Sequence, residues 1–330
     1  MKFKKLKKFL IGENISFKEN ENIKNYTSIR IGGKVRFFIE IKTISTLIKV
    51  RKECEKLKIK TFILGNGTNL VFSDKKLNIV VIKLALKGVK KQGTTLVAMS
   101  GESLFAINIF AVKNDLTGLE WSFGIPGSVG GAVYMNAGSF GGEISDVVSS
   151  VKVLDENNKV RIFKNDELGF SYRKSIFQDK NYIILQAKFN LNNGEKEKIW
   201  EICKNNLRQR KETQPYDKFT AGSVFKKPKE CYAWKLIDSC GYRGYKIGGI
   251  KVSRKHCGFV ENVQNAKFYD VLKIIYEIKK TVYKKFAIIL EEEIQFVGEM
   301  NGRFRRLSHT YNLQQKKMVA KETCKRDIRR

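Results

Sequence analysis

The sequence predicts an α+β chain of more than one domain, and three observations carry that reading. Its 330 residues are enough for two or three hydrophobic cores. Its hydrophobic content of 42%, with 11% aromatic residues, is that of a globular chain rather than a disordered one. Its apolar period also changes along the chain: strand-like and helix-like runs alternate at first, strand pairs follow, and a long helix comes near the end.

RFFIEIK (36–42) reads as a strand, and STLIKVRKECEKLK (45–58) sets Leu47, Val50, Cys54 and Leu57 at helical spacing. TFIL (61–64) and NIVVIKLAL (78–86) read as strands and SLFAINIFAVKND (103–115) as a helix, giving a βαβ-like first domain. From about residue 90 the strands read as antiparallel. SVKVLDENNKVRIF (150–163) is a hairpin turning at Asn157-Asn158, and NYIILQAKFNL (181–191) adds another strand. The polar helix EKEKIWEICKNNLRQRKETQ (195–214) ends before Pro215, a domain boundary. In AKFYDVLKIIYEIKKTVYKKF (266–286), Phe268, Leu272, Ile275, Ile278, Val282 and Phe286 form one apolar face, and AIILEEEIQFVG (287–298) reads as a closing strand. Residues 301–330 hold ten Lys/Arg against two acids without periodicity, so a basic, disordered tail is expected there. The expected boundaries are 1–90, 91–214, 215–300 and 301–330.

Composition narrows the function. A net charge of +31 raises nucleic acid as a partner, but the lysines are spread along the chain rather than gathered with aromatics. Small anionic ligands explain the balance as well. Two histidines, His256 and His309, exclude a His-rich metal site, and six cysteines without a CxxC pair read as free thiols. No stretch reaches the roughly 20 apolar residues of a membrane helix, and the basic N-terminus lacks a signal-peptide core. A cytoplasmic protein is expected.

Glycine carries the site. Residues 121–143, WSFGIPGSVGGAVYMNAGSFGGE, gather seven glycines and one of three prolines, although glycine inside an element costs roughly 0.5–1 kcal/mol against alanine. Gly124, Gly127, Ser128, Gly130 and Gly131 strip side chains from backbone that a flat ligand or a diphosphate can press on, and Asn136-Ala137-Gly138 repeats the device. A second loop, Gly65-Asn66-Gly67-Thr68-Asn69, follows a strand. It is not a dinucleotide fingerprint, because Leu70 stands where the third glycine belongs and no helix follows. It is a tight turn, or a backbone anion cradle. Two cradles, neither of Rossmann type, suggest a large phosphate-bearing cofactor laid between two domains.

TSIRIGGKVRFF (27–38), ILGNGTNLVFSD (63–74), GLEWSFGIPGSVGGAVYMNAGSFGGEISD (118–146), FSYRKSIF (170–177), AGSVFKKP (221–228), GYKIGGIKVSRKHCGFVEN (244–262) and LEEEIQFVG (290–298) occur in the order of one family. Over roughly residues 15–298 the chain resembles the UDP-N-acetylenolpyruvoylglucosamine reductases, the MurB flavoenzymes of peptidoglycan synthesis, in their shorter type II form. The resemblance implies a vanillyl-alcohol-oxidase-like (PCMH-type) flavoprotein fold: a two-part FAD-binding module and an α+β substrate domain. It implies FAD held by the GNGTN loop and the glycine-rich stretch, non-covalently because no His or Cys lies in those motifs. NADPH is the implied electron donor and UDP-N-acetylglucosamine enolpyruvate the substrate.

The resemblance also implies roles. Arg173 faces the negative charge that develops beside the substrate carboxylate, with Tyr172 next to it. Ser223 gives the proton, and Glu293 helps polarise the intermediate. Three adjacent glutamates permit a one-residue slip, although spacing to Phe296-Val297-Gly298 favours Glu293. Lys227 stands where the family often has asparagine and replaces a substrate contact by charge. Without the family, Arg173 reads as a surface ion-pair residue, Ser223 as a loop residue and Glu293 as a solvated strand carboxylate. A flavin-dependent sugar or alcohol oxidase of the same fold is the alternative enzyme, and a basic RNA-binding protein the alternative class. No metal, no nucleic acid, no membrane and a monomer complete the expectations. Valine at Gly130 or Gly131 is expected to cost cofactor before it costs folding.

Overall fold

The computed structural model describes residues 1–229 and 231–298, so the tail expected at 301–330 lies outside the described residues. Helix α1 (Lys2–Gly12) leads to β1 (Lys18–Asn22), β2 (Lys34–Ile41), α2 (Ile44–Lys56), β3 (Thr61–Leu64), β4 (Leu70–Phe72) and β5 (Leu77–Leu84). Next come β6 (Val89–Gln92), β7 (Thr95–Met99), α3 (Leu104–Lys113), β8 (Leu116–Thr117) and α4 (Val129–Met135). Short β9 (Gly138–Ser139), β10 (Gly142–Glu143) and α5 (Ile144–Val147) precede β11 (Val148–Leu154), β12 (Val160–Lys164), β13 (Ile183–Asn190) and β14 (Asn192–Asn193). Then follow α6 (Lys196–Thr213), α7 (Ala233–Ser239), β15 (Lys246–Ile247), β16 (Ile250–Val252), β17 (Val260–Asn262), α8 (Phe268–Phe286) and β18 (Gln295–Val297).

The described chain divides into two compact units. The first holds residues 1–28, 34–68 and 76–217; the second holds 29–33, 69–75 and the chain from 218. In the first unit, β1-β2-β5-β3 form one sheet, with β5 parallel to both β2 and β3. That is the βαβ arrangement expected, since α2 carries the chain from β2 to β3. Leu47, Val50 and Cys54 of α2 and Leu6 and Leu10 of α1 are fully buried in the same core as β2 and β5. A second sheet, β12-β11-β13-β7-β6, is antiparallel throughout. Buried Arg51 ties α2 to this second sheet: its guanidinium donates to the carbonyls of Leu154, Asp155 and Asn181 while Nε meets Glu55 at 3.0 Å.

In the second unit, α8 buries Phe268, Val271, Leu272, Ile274, Ile275, Ile278 and Val282 against β16, β17 and α7. Ile29, Ile31 and Val71, far earlier in sequence, complete this core. The closing strand is shorter than expected. Only Gln295–Val297 pair as a strand, parallel to Leu70–Phe72, and Glu292 makes one isolated bridge to Phe225.

Candidate active site

In the first unit, Gly65–Thr68 of the GNGTN loop meet the glycine-rich stretch. Gly67 is left-handed at φ +66°, and a Cβ there would lie 2.1 Å from the Tyr26 carbonyl, so only glycine fits. The Asn66 amide donates to the Pro126 carbonyl at 3.1 Å. A Cβ on Gly65 would reach Ser128 Oγ at 2.7 Å. Lys83, on β5, fixes the loop from below, bonding the Gly65 carbonyl and, at 3.3 Å, Asn66 Oδ1. Burial, with the charge of Lys87 second, holds the Lys83 pKa below its ordinary value.

The first N–H groups of α4 are already engaged within the protein, so they are not free donors for an anion. Ser128 caps it, with Oγ accepting from the Gly131 N–H at 3.2 Å. The N–H groups of Val129 and Gly130 donate to the carbonyls of Glu102 and Ser100 at 2.8 and 2.9 Å. The donors that a helix start leaves free are therefore engaged. In the loop they are not. Among the described residues, the N–H groups of Asn66, Gly67 and Thr68 donate no hydrogen bond. Successive N–H groups around a left-handed residue are the concavity that receives anions, so these residues fit the diphosphate of a dinucleotide cofactor.

The two α4 glycines differ. A Cβ on Gly130 would lie 2.9 Å from Ser100 Cβ and 3.2 Å from its carbonyl, whereas one on Gly131 meets only Ser128 Oγ at 3.3 Å. Gly131 is exposed backbone with room above it. Gly130 is glycine because Ser100 is there. Gly127 accepts from the Leu104 N–H at 3.0 Å, and Gly124, left-handed at φ +85°, packs on Leu207 and Arg210. Asn136 is fully buried in a left-handed cap. Its amide donates to Glu143 and the Ser171 carbonyl and accepts from the Ser145 N–H, so its side chain ties three segments together.

Arg173 belongs to this unit. It is left-handed (φ +56°) in the tight turn Ser171–Lys174, with Nη2 donating to the Gly138 carbonyl at 2.8 Å and the guanidinium 4.8 Å from the exposed Tyr172 ring.

Ser223 and Glu293 belong to the second unit. The strand segment 223–226 lies between two others: Val224 N–H donates to Gly258 O at 2.8 Å, and Glu293 N–H donates to Val224 O at 2.8 Å. Ser223 Oγ donates to its neighbour's carbonyl, Phe225 O, at 3.2 Å. Asn69 donates to the Glu293 carbonyl at 3.0 Å and accepts from the Gln295 N–H at 2.9 Å. The neighbouring glutamates hold lysines, Glu291 with Lys226 and Glu292 with Lys279 at 2.8 Å. Lys227 is exposed, its ammonium 4.5 Å from the Tyr232 ring centroid.

Sequence reading missed His256. Its Nδ1 accepts from the Gly258 N–H at 3.1 Å, which puts the proton of the neutral ring on Nε2, and it lies between Trp234 and Phe259. Burial lowers its pKa, so the ring stays neutral and holds the segment that pairs with Ser223. Lys83 and Arg210 were missed for a common reason: each sits at a position of otherwise polar or strand pattern, where only tertiary packing reveals the burial.

Residues 35–164 match the family described as FAD binding domain, and residues 214–297 match the UDP-N-acetylenolpyruvoylglucosamine reductase, C-terminal domain. The chain is 47% identical over 281 residues to the UDP-N-acetylenolpyruvoylglucosamine reductase of Caldanaerobacter subterraneus subsp. tengcongensis, covering 85% of this chain and 93% of that one. With the reductase of Clostridium novyi it shares 41% identity over 297 residues, 90% and 96% of the two chains. The crystal structure of the reductase from Thermus caldophilus superposes with a TM-score of 0.73 at 30% identity, over 86% of this chain and 99% of that one.

Proposed function

The chain belongs to the UDP-N-acetylenolpyruvoylglucosamine reductase family, and from that premise we propose that it reduces the enolpyruvyl group of UDP-N-acetylglucosamine enolpyruvate with electrons from NADPH. It is an FAD-dependent oxidoreductase of peptidoglycan precursor synthesis with an α+β FAD-binding fold. The reductase relatives give the oxidase alternative no support. The observation that carries the reading is the run of undonated N–H groups at Asn66–Thr68 beside the glycine-rich helix start, a backbone cradle for a diphosphate. Gly65, Asn69, Gly124, Gly127, Ser128 and Gly131 complete the proposed cofactor surface. Gly130 and Asn136 shape it from behind, through Ser100 and the three segments that Asn136 joins.

Bound FAD supplies the hydride; the chain's own residues manage charge and proton. In this proposal Arg173 compensates the negative charge that develops on the substrate. Ser223 donates the proton to the adjacent carbon, exchanging its 3.2 Å bond to Phe225 O for one to substrate, a small loss because that bond is long. Glu293, whose main chain is bonded to the Ser223 segment, polarises the intermediate. Tyr172 and Lys227 contact substrate. The division at 1–90, 91–214 and 215–300, a monomer, a cytoplasmic location and the lack of a nucleic-acid or membrane partner belong to the same proposal. No helix among the described residues is long and apolar enough to cross a membrane.

Ser223→Ala tests the assignment by separating the half-reactions. The variant should be yellow, bleach with NADPH at near-parental rate, and then reoxidise with the enolpyruvyl substrate on the order of 10²–10⁴-fold more slowly. Turnover within about tenfold of the parent would assign the proton to another group.

A further inference from the structure

Helix α6 holds a charge that the proposed chemistry leaves unused. Arg210 is 6% exposed, and its Nε makes no hydrogen bond. Nη2 donates to Ser139 Oγ at 3.1 Å, and the guanidinium lies 4.9 Å from the Phe140 ring. Among the described residues no carboxylate pairs with it. Burial pushes its pKa down to about 10, so it remains a cation at neutral pH.

Arg51 in the same unit is the contrast. It is equally buried, yet its Nε, Nη1 and Nη2 all find acceptors. A buried cation with an orphan donor and no counter-ion is costly. The fold keeps this one against Gly124, whose Cβ would lie 3.4 Å from Arg210 Nε, and against Ser139 and Phe140. Ser139 and Phe140 directly follow Gly138, the residue that Arg173 holds by its carbonyl.

We infer that Arg210 is a positioning cation of the flavin site: its unmatched charge behind residues 124–140 is matched by negative charge on the bound cofactor, more strongly in the reduced than in the oxidised form. The inference rests on the flavin-reductase reading. Two-electron reduction places additional negative charge on the cofactor, and in a site of low effective dielectric a fixed cation stabilises that charge far more than water does. A field of this kind needs no direct contact, which suits an Nε that is itself covered.

The test compares the parent, Arg210→Met and Arg210→Lys in three measurements: FAD and ADP affinity of the apoprotein, midpoint potential of the holoenzyme, and melting of the apoprotein. Arg210→Met should weaken FAD, and the midpoint potential should fall by about 30 mV or more, the equivalent of a tenfold preferential loss of the reduced form. Its apoprotein should melt no lower than the parent's, since an unmatched buried charge has been removed. Arg210→Lys should recover most of the potential. Parental affinity and potential in Arg210→Met, or a lower apoprotein melting point with the potential unchanged, would make Arg210 a packing residue and overturn the inference. Equal weakening of ADP and FAD without a potential shift would place the charge at the diphosphate and overturn the redox half. If Arg210→Met fails to fold, Arg210→Gln carries the same comparison. A parent that binds no FAD would refute the flavin reading itself, a separate failure.

Discussion

At the scale of the residue, two adjacent glycines divide the work that sequence alone assigns to both. Gly130→Ala drives a methyl against Ser100, so it should lose roughly 1–3 kcal/mol of stability, the usual cost of overpacking, with or without flavin. Gly131→Val meets only a hydroxyl, and should melt near the parent as apoprotein yet retain little FAD. Denaturant unfolding of both apoproteins, set beside their flavin content, checks the pair; full flavin in Gly131→Val would remove Gly131 from the cofactor surface. Lys83 makes a related case. Lys83→Met removes the two bonds beneath Gly65 and Asn66, so FAD affinity should fall several-fold while unfolding stability changes little; an unchanged Kd by fluorescence titration would leave Lys83 without a part in shaping the loop.

At the scale of the element, the 155–159 turn explains why the hairpin was readable from Asn157-Asn158. Asp155 Oδ1 accepts the N–H groups of Asn157 and Lys159, Oδ2 meets Arg161 Nε at 2.6 Å, and Asn158 takes the left-handed position that asparagine tolerates. The Lys159 N–H, then Arg161 and the Asn157 N–H, hold the Asp155 carboxyl below its ordinary value. That contribution to stability is complete above the unfolded pKa of about 3.9 and is lost as pH falls through the lower folded value. Asp155→Asn should therefore be less stable than the parent near neutrality, with the gap closing below about pH 4 in thermal melts across pH. Long periodic elements were legible for the same local reasons: α2 and α8 announce their buried faces by spacing. The short ones were not. Strand β18 is three residues whose partner lies at Leu70–Phe72, and α4 hides among glycines that argue against helix. Arg210 lies on a helix read as polar, and nothing within the helix marks which of its basic residues is covered. The candidate site was legible as glycine spacing and as family motifs; its supporting cations and His256 were set by packing across segments distant in sequence.

At the scale of the whole molecule, the match to a C-terminal domain at 214–297 understates what that unit requires. Its core includes Ile29, Ile31 and Val71, and β18 has its strand partner in β4. A fragment of residues 214–298 should therefore stay unfolded, with poorly dispersed amide NMR signals, whereas the chain through residue 298 folds. A cooperative, well-dispersed fragment would show that the early segments are dispensable.

The pairing of β4 with β18 also sets a schedule at the ribosome. The two strands start 225 residues apart (295 − 70), so at about 5–20 residues per second the nascent chain carries β4 without its mate for roughly 10–45 s. An unmated apolar strand is a template for other chains. Holdase chaperones thus have a defined target and a defined window, and a premature stop a few codons before residue 295 should yield a product cleared by proteolysis rather than a slightly shortened enzyme.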